Sequence, residues 1–251
     1  MAKKKKKPST LTHEKIRRAA LELIDAEGID AFSTRKLGAA LGCEAMAIYW
    51  YYPSKEAVLD AVVDELMSRV GVSRDATDWV EALAEIARAY RGLARKHPNA
   101  FPLIATRRFA TEGTYAFLER LFALAHAQGV DDRTIARFFR AVSAFCSGIA
   151  LNEIASRRAP DDRKARARYA RVASVSKWLE PKHFDDLFEF GLAVLLDALE
   201  RSIRDHVAVA RRGIEDREAV GVLEDEQRGG RVRPSRAPRA ADRQRREQRR
   251  V

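Results

Sequence analysis

The sequence predicts an all-α protein, with a small N-terminal three-helix unit followed by a larger helical domain. Three observations carry this. No strand-like alternation persists along the 251 residues, whereas apolar residues recur at helical spacing throughout. Glycine and proline divide the chain at Gly28, Gly42, Pro53, Gly71, Pro98, Pro102, Gly129, Pro160 and Pro181. Before Gly71 the segments include two short ones, and after it most are long.

The first helix reads 12–27. Thr12 is its N-cap, Ile16, Ala19, Ala20, Leu23 and Ile24 form one apolar face, and Gly28 offers a left-handed cap. A second helix, about 34–41, starts from Ser33 as N-cap with Leu37, Ala40 and Leu41 facing in. Leu41-Gly42-Cys43 is a tight turn, and a third helix runs about 44–51 with Ile48 in the core. Pro53 disfavours helix at Tyr52, and Ser54 then caps a fourth helix, about 55–70, built on Val58, Val62 and Leu66. Beyond Gly71 the periodicity predicts helices at 77–96, 101–108, 112–127, 132–157, 163–178 and 183–208. The stretch "RRAPDDRKARAR" reads equally as a loop or as an exposed helix start. From about Gly213 the periodicity is lost.

Charge is concentrated at the ends. Of the net +11, Lys3–Lys7 supply five, and residues 228–251 carry ten arginines against Asp242 and Glu247. The body is therefore close to neutral. Tails of like charge with few apolar residues cannot build a core and are expected to be disordered. They would draw phosphate non-specifically, with strong salt dependence. No apolar run approaches the roughly 18 residues of a membrane span, and the start has no apolar stretch of the secretory kind. Cys43 and Cys146 are too few and too far apart for a metal site or a disulfide framework, which points to the cytoplasm. A Gly-rich phosphate loop, a metal-ligand spacing and a nucleophile motif are all lacking, and the five histidines are scattered singly, so no enzyme is expected.

Two short helices joined by a glycine turn, after a longer supporting helix, make a helix–turn–helix corner. Such a corner lays its second helix in the major groove of DNA, N-terminal residues nearest the bases. Glu44, Ala45, Met46 and Ala47 come first there. Met46 and Ala47 suit thymine methyls and Glu44 suits cytosine N4, a set poor in hydrogen bonds. Affinity is expected to lean on phosphate contacts and DNA shape. Thr34 and Arg35, at the start of the preceding helix, suit a phosphate.

From Leu11 to Val63 the chain, with "STRKLGAALG", "YWYYPSK" and "VLDA", closely resembles the DNA-binding region of the tetracycline-repressor (TetR) family. The resemblance puts Thr34, Arg35, Tyr49, Tyr51 and Lys55 at the DNA backbone and Trp50 at the groove wall. Cys43 and Tyr52 read as core, Tyr52 against the first helix. Residues 75–208, with "LARKHPNAFPLIATRR", "LERLFALAHAQG" and "FEFGLAVLLDALE", are similar to the family's effector-binding and dimerisation domain. The implied organisation is a tail over 1–10, a DNA-binding unit over 11–70, an effector and dimerisation domain over 71–212, and a tail over 213–251. Small residues and wide apolar faces at about 134–155 and 184–203 nominate the dimer pair.

For the effector pocket the candidates are His97, Phe101, Leu103, Arg107, Phe109, Tyr115, Phe138, Phe145, Asn152 and Trp178, each of which also reads as ordinary core or surface. The histidines that tetracycline-binding members use align near Leu103 and Gly71, so no metal is expected. The implied function is a repressor that binds a palindromic operator as a homodimer and is released by a small molecule, with no cofactor. The alternative is a non-specific nucleic-acid-binding protein driven by the basic tails.

Overall fold

The computed structural model describes residues 11–107, 111–160 and 162–205. Among these residues every regular element is helical. Both basic tails and Phe109 lie outside them.

The N-terminal elements follow their caps. Helix α1 (His13–Glu27) begins where Thr12 accepts from Lys15 N, and α2 (Thr34–Leu41) where Ser33 accepts from Lys36 N. Helix α3 is one turn, Ala45–Tyr49, shorter than expected, with Trp50 and Tyr51 in the turn that follows. Helix α4 (Lys55–Met67) is capped by Ser54 and ends three residues early, because Ser68 to Val70 turn back on its last carbonyls. Two local expectations change. Gly28 has positive φ but an extended ψ of 164°, so it is not a left-handed cap. Ala40 is exposed and Gly38 takes the inward place.

In the larger part, α5 (Trp79–Lys96) packs along α8 (Asp132–Arg158), and α6 (Phe101–Thr106) and α7 (Glu112–Ala127) close over α4. The expected helix at 163–178 is broken into α9 (Arg163–Arg166) and α10 (Ala170–Ser176), separated where Tyr169 is extended. The ambiguous polar stretch resolves into extended backbone at Ala159 and then α9, held by an Asp162–Arg166 pair. A 3-10 turn, Pro181–His183, leads into α11, residues 184–205. Gly191 of α11 lies so close to α8 that a Cβ there would meet the Phe145 ring at 2.5 Å.

One buried cluster runs without a break from Ile16 and Leu37 through Val58 and Val62 to Phe101, Cys146 and Phe188. The N-terminal unit and the larger part therefore share a core, with α4 inside it. A second cluster gathers Trp79, Leu83, Leu121, Ile135 and Leu199. Cys146 is inert in that setting, its thiol pushed up to about 12 by burial.

Helix α8 corrects one sequence expectation. An 18-residue window within it reaches a mean hydropathy of 1.3, long and apolar enough to match a membrane span. Its buried face, however, carries Glu153, 3% exposed. Glu153 accepts from Arg91 Nε at 2.9 Å and from Arg95 Nε at 2.8 Å on α5, and from Arg157 at 2.8 Å. Arg91 and Arg95 both continue to Asp185 on α11, at 2.9 and 2.6 Å. The Arg91 guanidinium also covers the Phe188 ring at 4.7 Å. Three helices are thus tied at one charged node.

Burial alone would raise the Glu153 pKa, but the hydrogen bonds from Arg95 and Arg91 outweigh it and hold the group below the ordinary value. A depressed carboxylate contributes stability that is complete above its unfolded value, about 4.3, and is lost as pH falls through the folded one. Replacing Glu153 with Ala leaves the buried Arg91 with Asp185 as its remaining carboxylate and is expected to cost roughly 3 kcal/mol in urea unfolding. The Glu153→Gln variant is expected to lose stability less steeply than wild type below about pH 4.5, measured by acid titration of the melting temperature.

Candidate nucleic-acid interface and small-molecule cleft

The corner between α2 and α3 depends on two glycines. Gly42 is in the left-handed conformation, φ 69° and ψ 30°. Gly38 lies under the turn, where its carbonyl accepts from Cys43 N at 2.9 Å. A Cβ on Gly38 would stand 2.8 Å from Cys43 O and 3.1 Å from Ala45 N, both backbone atoms. A glycine inside a helix costs about 1 kcal/mol against alanine, and that cost was the sequence signal for a close approach here.

The corner brings most of the predicted contact residues onto one surface. Ile48 is fully buried and anchors α3, while Ala45 and Ala47 are half-buried beside it. Met46 and Trp50 project, 67% and 87% exposed, with Glu44 and Arg35 also exposed. Thr34 Oγ1 and Tyr49 Oη lie 3.1 Å apart, so the start of α2 and the end of α3 are joined by a hydroxyl pair. Lys55 is half-buried at the start of α4, its ammonium 5.8 Å from the Phe32 ring centre. Cys43 is half-buried in the turn rather than fully buried.

Tyr51 differs from expectation. Its hydroxyl donates to the Leu11 carbonyl at 2.8 Å, and its ring meets His13 edge-on at 5.1 Å. Tyr52 is buried, packs on the same His13 ring at 5.0 Å, and matches its expected place against α1. His13, which the sequence reading left unassigned, is the platform for both. Tyr51 therefore braces the start of α1 and does not present a free hydroxyl donor.

The nominated pocket residues are not brought together. Phe101 and Leu103 are core, Phe145 stacks on Phe188, and Phe138 packs on the second cluster. Tyr115, Asn152 and Trp178 are exposed, Trp178 tilted against His183. His97 is buried between Asp25 and Arg69. Arg107 is spent on α4, paired with both Glu56 and Asp60, and those pairs hold its pKa raised although burial alone would lower it.

The cleft lies elsewhere. A space of about 270 Å³ opens between α7 and the end of α4. Asp64, Met67, Val70 and Gly71 form one wall, and Gly113, Thr114, Phe117 and Arg120 the other. Its lining is mostly apolar, with Asp64 and Arg120 supplying opposite charges. Arg120 donates to the Val72 carbonyl at 3.2 Å, and Asp64 accepts from Thr111 at 2.6 Å. Gly71, near which the resemblance sets the pocket histidine of tetracycline-binding members, borders this space and was the signal within reach. The other lining residues come from segments distant in sequence and read locally as ordinary helix.

Gly38→Ala tests the corner. The added methyl is expected to push against backbone that cannot yield and to cost about 1–3 kcal/mol in chemical unfolding. The same change at Gly92, exposed inside α5 where a Cβ meets open space, is expected to stabilise by up to about 1 kcal/mol in that assay.

Comparison with known proteins agrees with this geometry. Residues 16–62 match the profile for bacterial regulatory proteins of the tetR family, and 73–203 that for a tetracyclin repressor-like C-terminal domain. The HTH-type transcriptional repressor DrrR1 of Streptomyces coeruleorubidus is 27% identical, over 76% of this chain and 78% of that protein. The tetracycline repressor protein class C of Escherichia coli is 30% identical, over 76% of this chain and 91% of the repressor. A TetR variant from Acinetobacter baumannii AYE in complex with minocycline is 26% identical and superposes with a TM-score of 0.62, covering 77% of this chain and 99% of that one. With two profile matches, the second alone spanning just over half of its length, the chain belongs to the tetR family of bacterial regulatory proteins.

Proposed function

We propose that this protein is a transcriptional repressor that binds a palindromic operator as a homodimer and is released by a small molecule held in the α4–α7 cleft. The observation that carries the reading is the position of α4. Its N-terminal end follows the α3 surface directly, and its last turn, Asp64 and Met67, forms a wall of the cleft. A molecule wedged there presses on the helix that carries the helix–turn–helix unit. Similarity to a repressor and to a minocycline complex supports the same reading.

On DNA, the α3 surface of Met46, Ala47 and Trp50 enters the major groove, while Thr34, Arg35, Tyr49 and Lys55 meet the backbone. Tyr51 supports them from behind through Leu11. The dimer forms through 134–155 and 184–203. Ala144 and Gly148 leave α8 open to close approach, and Leu187, Phe190 and Val194 are 47%, 67% and 51% exposed on α11. A twofold pair then matches a palindromic site. Residues 11–70 act as the DNA-binding unit and 71–212 as the effector and dimerisation domain. The effector is expected to need no metal, since the histidine that tetracycline-binding members use for drug-bound magnesium aligns near Leu103. A DNA-binding role of this kind supports a cytoplasmic location.

Fluorescence anisotropy with DNA from upstream of its own gene tests the reading. Sequence-selective binding is expected to survive deletion of residues 1–8 and 214–251. Arg35→Ala is expected to weaken binding about equally on all sequences and to lower the salt slope by about 1. Loss of selectivity with the tails would instead assign the binding to them.

A further inference from the structure

The join between α1, α4 and the corner after α5 runs through one imidazole. His97 is 7% exposed. Its Nδ1 lies 2.6 Å from Asp25 Oδ2, near the end of α1, and its Nε2 lies 3.1 Å from Arg69 Nη1, just beyond α4. A guanidinium has no acceptor, so Nε2 accepts from Arg69 and Nδ1 carries the proton toward Asp25. Arg69 continues to Glu65 at 3.2 Å, and Glu65 to Arg17 at 3.5 Å, back on α1. The circuit closes on α1 at Arg17 and Asp25, eight residues or about two turns apart. Asn99 adds a bond to the Asp25 carbonyl at 2.7 Å and itself accepts from Arg158 at the end of α8.

Apolar contact between α1 and α4 is non-directional and tolerates sliding and rotation. A circuit of hydrogen bonds at Asp25, His97, Arg69 and Glu65, closed by the Arg17–Glu65 ion pair, tolerates far less, because each hydrogen bond weakens steeply with angle. We propose that His97 is the positioning residue that fixes the angle at which α1–α3 stand on the rest of the protein, and with it the separation of the two α3 helices in a dimer. This rests on the dimeric, operator-binding reading above. Neither Asp25 nor Arg69 touches the α3 surface or lines the cleft, so the ring acts through orientation alone.

The test uses the full chain and a DNA fragment that it selects from a random-sequence pool. Affinity is then measured for that fragment and for versions with one base pair added or removed between the half-sites. Each such change moves a half-site by about 3.4 Å and rotates it by about 35°. Wild type is expected to prefer the selected spacing at least about tenfold, and Asp25→Ala, Arg69→Ala and His97→Asn to reduce that preference to within about threefold. Asp25→Ala and Arg69→Ala keep the inference testable if the His97 variant fails to fold. Nitrogen-detected NMR of wild type is expected to show Nδ1 protonated and Nε2 bare.

Equal loss of affinity on all three fragments with the preference intact would mean that the ring is only structural, and would overturn the inference alone. An Nε2-protonated ring would overturn it too. Failure to select any fragment would overturn both the inference and the operator-binding reading on which it rests.

Discussion

Helix α4 is gripped along its length by two different parts of the molecule, and the rest of the structure depends on that grip. Val58, Leu59, Val62, Val63 and Leu66 are buried in the cluster that joins the N-terminal unit to the larger part. Burying side chains of this size contributes about 1.5–3 kcal/mol each, so α4 cannot leave either side cheaply. Its carboxylates sort by face. Glu56, Asp60 and Asp64 recur every four residues and turn to Arg107 and Thr111, around the α6–α7 connection. Glu65 turns the other way, to Arg17 on α1 and to Arg69. A helix held by both partners moves both when it moves.

The cleft gains its meaning from this arrangement. At about 270 Å³ it lies just below the usual range for small-molecule sites, and one wall is the last turn of α4 itself. A ligand there needs no long pathway to reach α1–α3. In the proposed function it would displace α4, whose other end is four residues from Tyr51. A shift of α4 strains directional bonds at Arg107 and at the His97 ring, while the apolar core between them accommodates small rotations. Population of a second arrangement then depends on how much better it holds the ligand than the first does.

Much of the fold was legible because helix caps and apolar periodicity are local signals. Thr12, Ser33, Ser54, Asp78, Thr111 and Asp131 each accept a hydrogen bond at the start of their helices. The corner and its exposed Met46 and Trp50 were legible for the same reason. What could not be read are pairings between residues far apart in the chain. Glu153 and Arg91 are separated by 62 positions, and each alone looks like a solvated helix charge. Tyr51 carried the same signal as Tyr49, and only the approach of the Leu11 carbonyl to 2.8 Å decided its role. His97 and Arg107 were pocket candidates whose polarity had no visible partner nearby in sequence, Arg107 through the resemblance of Thr106-Arg107 to a pair in tetracycline-binding members. The structure satisfies that polarity with carboxylates of α1 and α4 instead.

The central claim is that the cleft controls the distance between the two α3 helices through α4. The most direct measurement is the spin–spin distance between nitroxides placed at Glu44 in each copy of a dimer with no other cysteine. It is made with and without a compound that raises the melting temperature of wild type but not of Gly113→Trp, whose indole fills the cleft. The account predicts a narrow distribution that moves by a few ångströms on binding, a displacement of the size that half-site matching would register. An unchanged distribution at saturating compound, with DNA nonetheless released, would contradict it.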